Sequence, residues 1–300
     1  MINVSSVTKF FDDFKVLDEI TLHVPKGTIY GLVGPNGAGK TTIINHINGV
    51  LKPVSGEITI NGEPVFENEN IKQTVLNISD EWFYYATFSI KEMAKFYKNI
   101  YKNFSQERYE AIGKIFDIDE KRQIRKLSKG MKKQVAFWLS LSAMPDVLIL
   151  DEPLDGLDPV MRKQVLNLVI TDVVDREMTV LVSSHNLREL EDICDWVGII
   201  HKGKMILEKP LDDLKGSVHK YQIVLPEGCS DSVFDAENIL HKSRTGSVYN
   251  VIIRGEADET DRLMHNMNPV LCERVSLTLE EVFIYELGGM GYDFKNIIIQ

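Results

Sequence analysis

The sequence predicts an α/β protein with a mainly parallel sheet, followed by a small α+β domain, and three observations carry that expectation. From Ile2 to about Gly216, short apolar strands alternate with helical stretches, the pattern of a parallel sheet with helices packed on it. A glycine-rich segment, Gly34 to Lys40, stands between one such strand and one such helix. Beyond Lys215-Gly216-Ser217 the texture changes to strand-like Tyr221–Leu225, Ser247–Ile253 and Glu273–Thr278, with helical Glu259–Asn266 and Leu279–Leu287. At about 150 residues per domain, a chain of 300 accommodates two, residues 1–216 and 217–300.

The strands of the first domain are Ile29–Val33, Val147–Leu150, Thr179–Ser183 and Val197–Ile200, apolar runs suited to burial on both faces of a parallel sheet. Helical patterns follow the first and third, at Lys40–Asn48 and Asn186–Ile193, so the strand ends point at helix starts, where ligands collect. Strand character disappears between Trp82 and Ile124. Ser89–Tyr97 and Ser105–Phe116 read instead as helices, each opened by a serine N-cap, which places a helical subdomain at about residues 82–145 within the sheet domain.

Hydrophobic residues make up 44% of the chain and charged residues 26%, enough for a packed core and too apolar for disorder. The formal charge of −10 argues against a surface that coats nucleic acid, and no nucleic-acid partner is expected. No apolar run approaches the roughly 18 to 20 residues of a membrane span. The opening Met1-Ile2-Asn3-Val4-Ser5 has neither the basic nor the apolar part of a secretory leader, which points to the cytosol. Cys194, Cys229 and Cys272 are odd in number, far apart and outside any CxxC pattern, so they read as reduced structural thiols.

Gly34-Pro35-Asn36-Gly37-Ala38-Gly39-Lys40-Thr41 matches GxxxxGK[ST], directly after an apolar strand and before a helical stretch that continues through Thr42. Glycines let the backbone curl so that successive N–H groups face one anion, and the following helix directs its positive end at the same point. The expected contacts to a nucleoside triphosphate are Gly34, Asn36, Gly37, Ala38, Gly39, Lys40, Thr41 and Thr42. Lys40 would reach the β and γ phosphates, and the Thr41 hydroxyl would ligate Mg²⁺.

Val147-Leu148-Ile149-Leu150-Asp151-Glu152 is an apolar strand that ends in two carboxylates. Taken alone, such acids serve equally well as helix caps. With a phosphate loop in the same chain they read as a hydrolytic centre, Asp151 holding Mg²⁺ through water and Glu152 orienting or deprotonating the attacking water.

Between these motifs, Leu127-Ser128-Lys129-Gly130-Met131 resembles LSGGQ, the signature of the nucleotide-binding subunits of ABC (ATP-binding cassette) transporters, which P-loop kinases and GTPases lack. The resemblance extends over about residues 2–216 through the D-loop-like Gly156-Leu157-Asp158, His185 in Ser183-Ser184-His185, and Phe11, which lies 29 residues before Lys40. It implies ATP and Mg²⁺ as ligands, an antiparallel β part near the N-terminus beside the P-loop core, Phe11 against adenine and His185 on the γ phosphate. Read from the residues alone, Phe11 also fits a Phe10-Phe11-Phe14 core cluster, His185 a strand-end histidine, and Asp158, before Pro159, a helix N-cap.

In that family, Ser128 and the amides around Gly130 would meet nucleotide held by a second cassette, the two subunits facing head to tail around two ATP. Hydrolysis would loosen the pair and drive a separate transmembrane permease, placing the chain peripherally on the cytoplasmic face of the membrane. Lys129 and Met131 depart from the signature, and Asp80 stands where the family's Q-loop has glutamine. A carboxylate there would still reach Mg²⁺ or its water. Trp82-Phe83-Tyr84-Tyr85 and Phe88 fall where the family docks the permease, and at least one of these rings is expected to be exposed. The extension containing Leu279-Glu280-Glu281-Val282-Phe283 resembles those of cassettes serving ABC-2 type exporters, including Gram-positive exporters of bacitracin, lantibiotics and cytolytic peptides. A soluble, non-transport ABC ATPase acting on ribosomes or DNA is the alternative class. A single cassette, the lack of a long coiled coil and the acidic balance stand against it.

Overall fold

The computed structural model describes residues 1–79, 82–226, 229, 231–235 and 238–288. The chain divides into two units, Met1–His185 with Ile193–Glu208, and Asn186–Asp192 with the residues from Lys209 onward.

The first unit opens with an antiparallel hairpin, β1 (Ile2–Phe11) and β2 (Phe14–Val24), and continues through β3 (Ile29–Val33) and α1 (Lys40–Ile47) to β4 (Ser55–Ile60) and β5 (Glu63–Pro64). One sheet, β2-β1-β4-β5, is antiparallel. Ile43, Ile44 and Ile47 share one face of α1, and they pack in a single core with Ile2, Val4, Ile20 and Ile58 of that sheet. At ~1.5–3 kcal/mol for each buried aliphatic side chain, this face is what fixes the helix in place.

Next come α2 (Glu69–Thr74), β6 (Val75–Ile78), the helices α3 (Ile90–Ile100), α4 (Gln106–Phe116) and α5 (Lys129–Ser142), then β7 (Val147–Asp151), α6 (Pro159–Arg176) and β8 (Thr179–Ser184). After α7 (Leu187–Glu191), β9 (Trp196–His201) and β10 (Lys204–Pro210) complete a second sheet of order β10-β9-β3-β8-β7-β6, in which β9, β3, β8, β7 and β6 run parallel. All residues of β3, β7 and β8 are buried, which is why they read as unbroken apolar runs rather than alternating ones. β6 and β7 are neighbours, so the helices leave the sheet at one strand and return at the next. A capping box between Ser89 and Glu92 opens α3, and Ser105 accepts from the Arg108 amide to open α4, as the serine positions imply.

The second unit contains α7, α8 (Leu211–Gly216), β11 (Val218–Val224), β12 (Ile239–Thr245), β13 (Val248–Arg254), α9 (Ala257–His265), β14 (Leu271–Val275) and α10 (Leu279–Gly288). Its antiparallel sheet, β12-β13-β11-β14, buries Tyr221, Ile223, Tyr249, Val251 and Ile253 against Met264 of α9. Glu191 of α7 accepts from the Leu279 amide and pairs with Lys215, while Arg188 pairs with Glu280. Two local expectations change. The helix after His185 is shorter than Asn186–Ile193, because the Asn186 side chain accepts from the Arg188 amide and serves as its cap. β12 escapes notice in the sequence because it is an edge strand whose residues His241 to Thr245 are polar and exposed.

The three cysteines are free thiols. Among the described residues, no helix is long and apolar enough to cross a membrane.

Candidate active site

Parallel strands in register end at the same level, so Val33 lies beside Ser184 and Asp151 beside Ser183, and the loops that follow converge. Gly34 to Gly39 form the turn from β3 into α1. Gly39 is the N-cap at φ 110°, in the left-handed region that favours glycine, and it supplies no side-chain acceptor to the first helical amides. Those amides and the positive end of the helix form an anion-attracting concavity. Gly34, Ala38, Gly39 and Lys40 are buried, Thr42 is half-buried, and Asn36, Gly37 and Thr41 are exposed.

Lys40 folds back into its own loop. Its Nζ donates to the Gly34 carbonyl at 2.6 Å and the Pro35 carbonyl at 3.4 Å, and lies 3.5 Å from Glu152 Oε1. Thr41 Oγ1 donates to Asp151 Oδ2 at 2.9 Å, and Ser183 Oγ donates to Oδ1 of the same carboxylate. A hydroxyl and a carboxylate in contact are hard oxygen donors suited to Mg²⁺, which keeps waters and takes phosphate oxygens rather than demanding a full protein cage. Among the described residues, no group of three or more His, Cys, Asp or Glu offers such a cage. Asp80 lies outside the described residues.

Glu152 follows β7 with φ 48°, and its amide donates to the Ser183 carbonyl at 3.3 Å and to Ser183 Oγ at 3.2 Å. His185 Nδ1 is 2.9 Å from Glu152 Oε2. Lys40, Thr41, Asp151, Glu152 and His185 thus form one polar cluster, as their motifs imply. Two members of its support escaped the sequence reading. Ser183 is within the quoted Ser183-Ser184-His185, yet its bond to Asp151 depends on β7 and β8 being neighbours. Lys133, in α5, reaches the Glu152 carbonyl at 2.8 Å, and in the sequence it is one member of the polar run Lys132-Lys133-Gln134 ahead of an apolar stretch.

Phe10, Phe11 and Phe14 are 38%, 46% and 71% exposed, so they form no core cluster, and the Phe11 ring is open to solvent with Lys9 Nζ 5.6 Å from its centroid. Ser128 is exposed, caps α5 by accepting from the Met131 amide at 3.2 Å, and takes no part in the cluster around Lys40. Gly130 is half-buried in the first turn of that helix. Asp158 is the N-cap of α6, accepting from the Val160 and Met161 amides at 3.0 Å each.

In the same unit, a cavity of about 420 Å³ is lined by Lys72, Trp82, Phe83, Phe96, Tyr97 and Tyr101 among others. Phe83 is 65% exposed and Tyr85 40%, which meets the expectation of at least one exposed ring. Burial pushes the Tyr101 hydroxyl up to about 12, assisted by the neighbouring Tyr97.

A phosphate-type loop between parallel strand and helix, acids at the end of a nearby strand and an inserted helical subdomain together define a P-loop ATPase fold. The sequence profile of the family described as ABC transporter matches residues 17–155. The chain is 30% identical over 289 residues to the ABC transporter ATP-binding protein YtrB of Bacillus subtilis (strain 168), spanning 96% of this chain and 99% of that protein. It is 38% identical over 226 residues to the bacitracin transport ATP-binding protein BcrA of Bacillus licheniformis, spanning 74% and 73%. A solved structure of an ATP-binding subunit of an ABC transporter superposes with a TM-score of 0.67 at 28% identity, spanning 72% of this chain and 92% of that one. The chain belongs to the family of ABC transporter ATP-binding proteins.

Proposed function

We propose that this ABC transporter ATP-binding subunit hydrolyses ATP as a dimer on the cytoplasmic face of the membrane, where it drives a separate ABC-2 type permease that exports peptides or antimicrobial compounds. The observation that carries the reading is the linkage of Lys40, Glu152 and His185 at the converging strand ends. Phosphates entering the Gly34–Thr42 segment would take Lys40 from the Gly34 carbonyl and meet the amides that open α1. Thr41 and Asp151 would hold Mg²⁺, which when bound supplies positive charge to the phosphate oxygens. Glu152 receives the proton of the attacking water, and His185, bonded to the same carboxylate, orients it and reaches the γ phosphate. Phe11 stacks on adenine, a contribution of about 1 kcal/mol.

Ser128 and Gly130 then act on nucleotide held by a facing subunit, so that ATP joins the two chains and hydrolysis separates them. The groove beside Phe83 receives an apolar helix of the permease, because an exposed aromatic wall gains from being covered. The export reading draws on similarity to a protein named for bacitracin transport. The boundary between cassette and C-terminal α+β domain is placed near residue 216, with the helical subdomain at about 82–145. Affinity purification from solubilised membranes tests the assignment. A polytopic membrane protein should co-purify in stoichiometric amount, and recovery with ribosomes or DNA alone would contradict it.

A further inference from the structure

Lys133 is 4% exposed and lies on α5, five residues beyond Ser128. An ammonium at such depth is unfavourable unless acceptors surround it. Its Nζ donates to the backbone carbonyls of Glu152 and Asp155, at 2.8 Å each. Those two carbonyls bracket the turn Glu152-Pro153-Leu154-Asp155. At φ 48°, the Glu152 backbone occupies a region that side-chain-bearing residues resist, so its conformation has to be imposed by neighbours. Ser183 holds its amide and Lys133 holds its carbonyl. The same stretch of α5 also lies tightly against the next residues of the loop. A Cβ on Gly130 would sit 3.0 Å from the Gly156 carbonyl oxygen, and one on Gly156 would meet the Lys129 stem at 3.5 Å.

We infer that Lys133 is a positioning residue for hydrolysis: it fixes the Glu152 backbone so that the carboxylate is aimed at water. The inference rests on Glu152 being the general base. Its consequence is a link between two halves of the machinery. Five residues of helix span about 7 Å, so the helix whose start carries Ser128 also fastens the base of the chain's own ATP site. Misaiming a base by about an ångström lowers a rate by about a hundredfold, whereas nucleotide binding through the phosphate loop does not pass through Lys133.

The test uses Lys133→Met and Lys133→Arg in the full chain, alone and combined with Glu152→Gln, with kcat, KM and equilibrium ATP affinity measured for each. Lys133→Met should lower kcat about 10- to 100-fold and leave ATP affinity within about twofold, and Lys133→Arg, which keeps the charge and donors, should recover part of the loss. Combined with Glu152→Gln, Lys133→Met should change the residual rate by less than about twofold, because the carboxylate it aims is gone. Full activity in Lys133→Met, a parallel loss of ATP affinity, or an equal further loss on the Glu152→Gln background would each overturn the positioning role. A fully active Glu152→Gln would remove the base assignment itself, and an inactive Glu152→Gln beside a fully active Lys133→Met would remove only the role of Lys133.

Discussion

Two helices of this chain begin at positions expected to face nucleotide, and they begin differently. α1 opens on Gly39, which has no side chain to offer, whereas α5 opens on Ser128, whose Oγ already accepts from the Met131 amide. A helix start without a side-chain acceptor leaves its first amides to an external anion, while a serine cap takes one of them and leaves the others open. The first lies beside Lys40, Asp151 and Glu152, whereas Ser128 at the second is exposed and its Oγ is bonded within its own helix. On the function proposed above, phosphate binding belongs to the single chain, and the α5 end contributes when a facing subunit brings nucleotide to it.

Substitutions at each start, and at the acids between them, put this contrast to the test. The largest effect is expected from Glu152→Gln, which should retain ATP yet hydrolyse it about 10² to 10⁴ times more slowly, roughly 3 to 5 kcal/mol in barrier height; unchanged turnover in a steady-state assay would take Glu152 out of the base role. Lys40→Ala acts on binding. Removing a buried cation expected to face phosphate should weaken ATP affinity about a hundredfold by titration calorimetry, and ordinary affinity would count against the phosphate-loop assignment.

Ser128→Ala should separate the two helix starts most cleanly. Loss of the cap costs α5 about 1 kcal/mol, and loss of the hydroxyl should weaken ATP-dependent self-association about tenfold in a dilution series, with ATP affinity of the single chain within about twofold. A fall in single-chain affinity instead would mean that Ser128 belongs to the cis site. Phe11→Ala is the mildest: about fivefold weaker ATP binding is expected, with inorganic triphosphate unaffected, since only the proposed adenine contact would be lost.

Much of this arrangement was legible in the sequence for definite physical reasons. The buried parallel strands appear as apolar runs, the turn into α1 needs glycine, and acids at the end of a buried strand require a purpose. Serine at positions 89 and 105 announces helix starts because its side chain can bond an amide three residues on. What stayed hidden depends on neighbours distant along the chain. Neither Ser183 bonding Asp151 nor Lys133 bonding the Glu152 carbonyl follows from local pattern, because each requires knowing which strand or helix lies alongside. Phe11 illustrates the opposite case: the alternative of a core cluster with Phe10 and Phe14 fails, because the hairpin leaves all three rings at the surface.

On the proposed function, ATP is shared between the phosphate loop of one chain and the α5 start of another. Light scattering of purified Glu152→Gln with and without ATP tests it directly. Monomer mass is expected without nucleotide and twice that mass with it, a shift abolished by adding Ser128→Ala at limiting concentration. A mass that ignores ATP, with nucleotide bound at full occupancy, would contradict it.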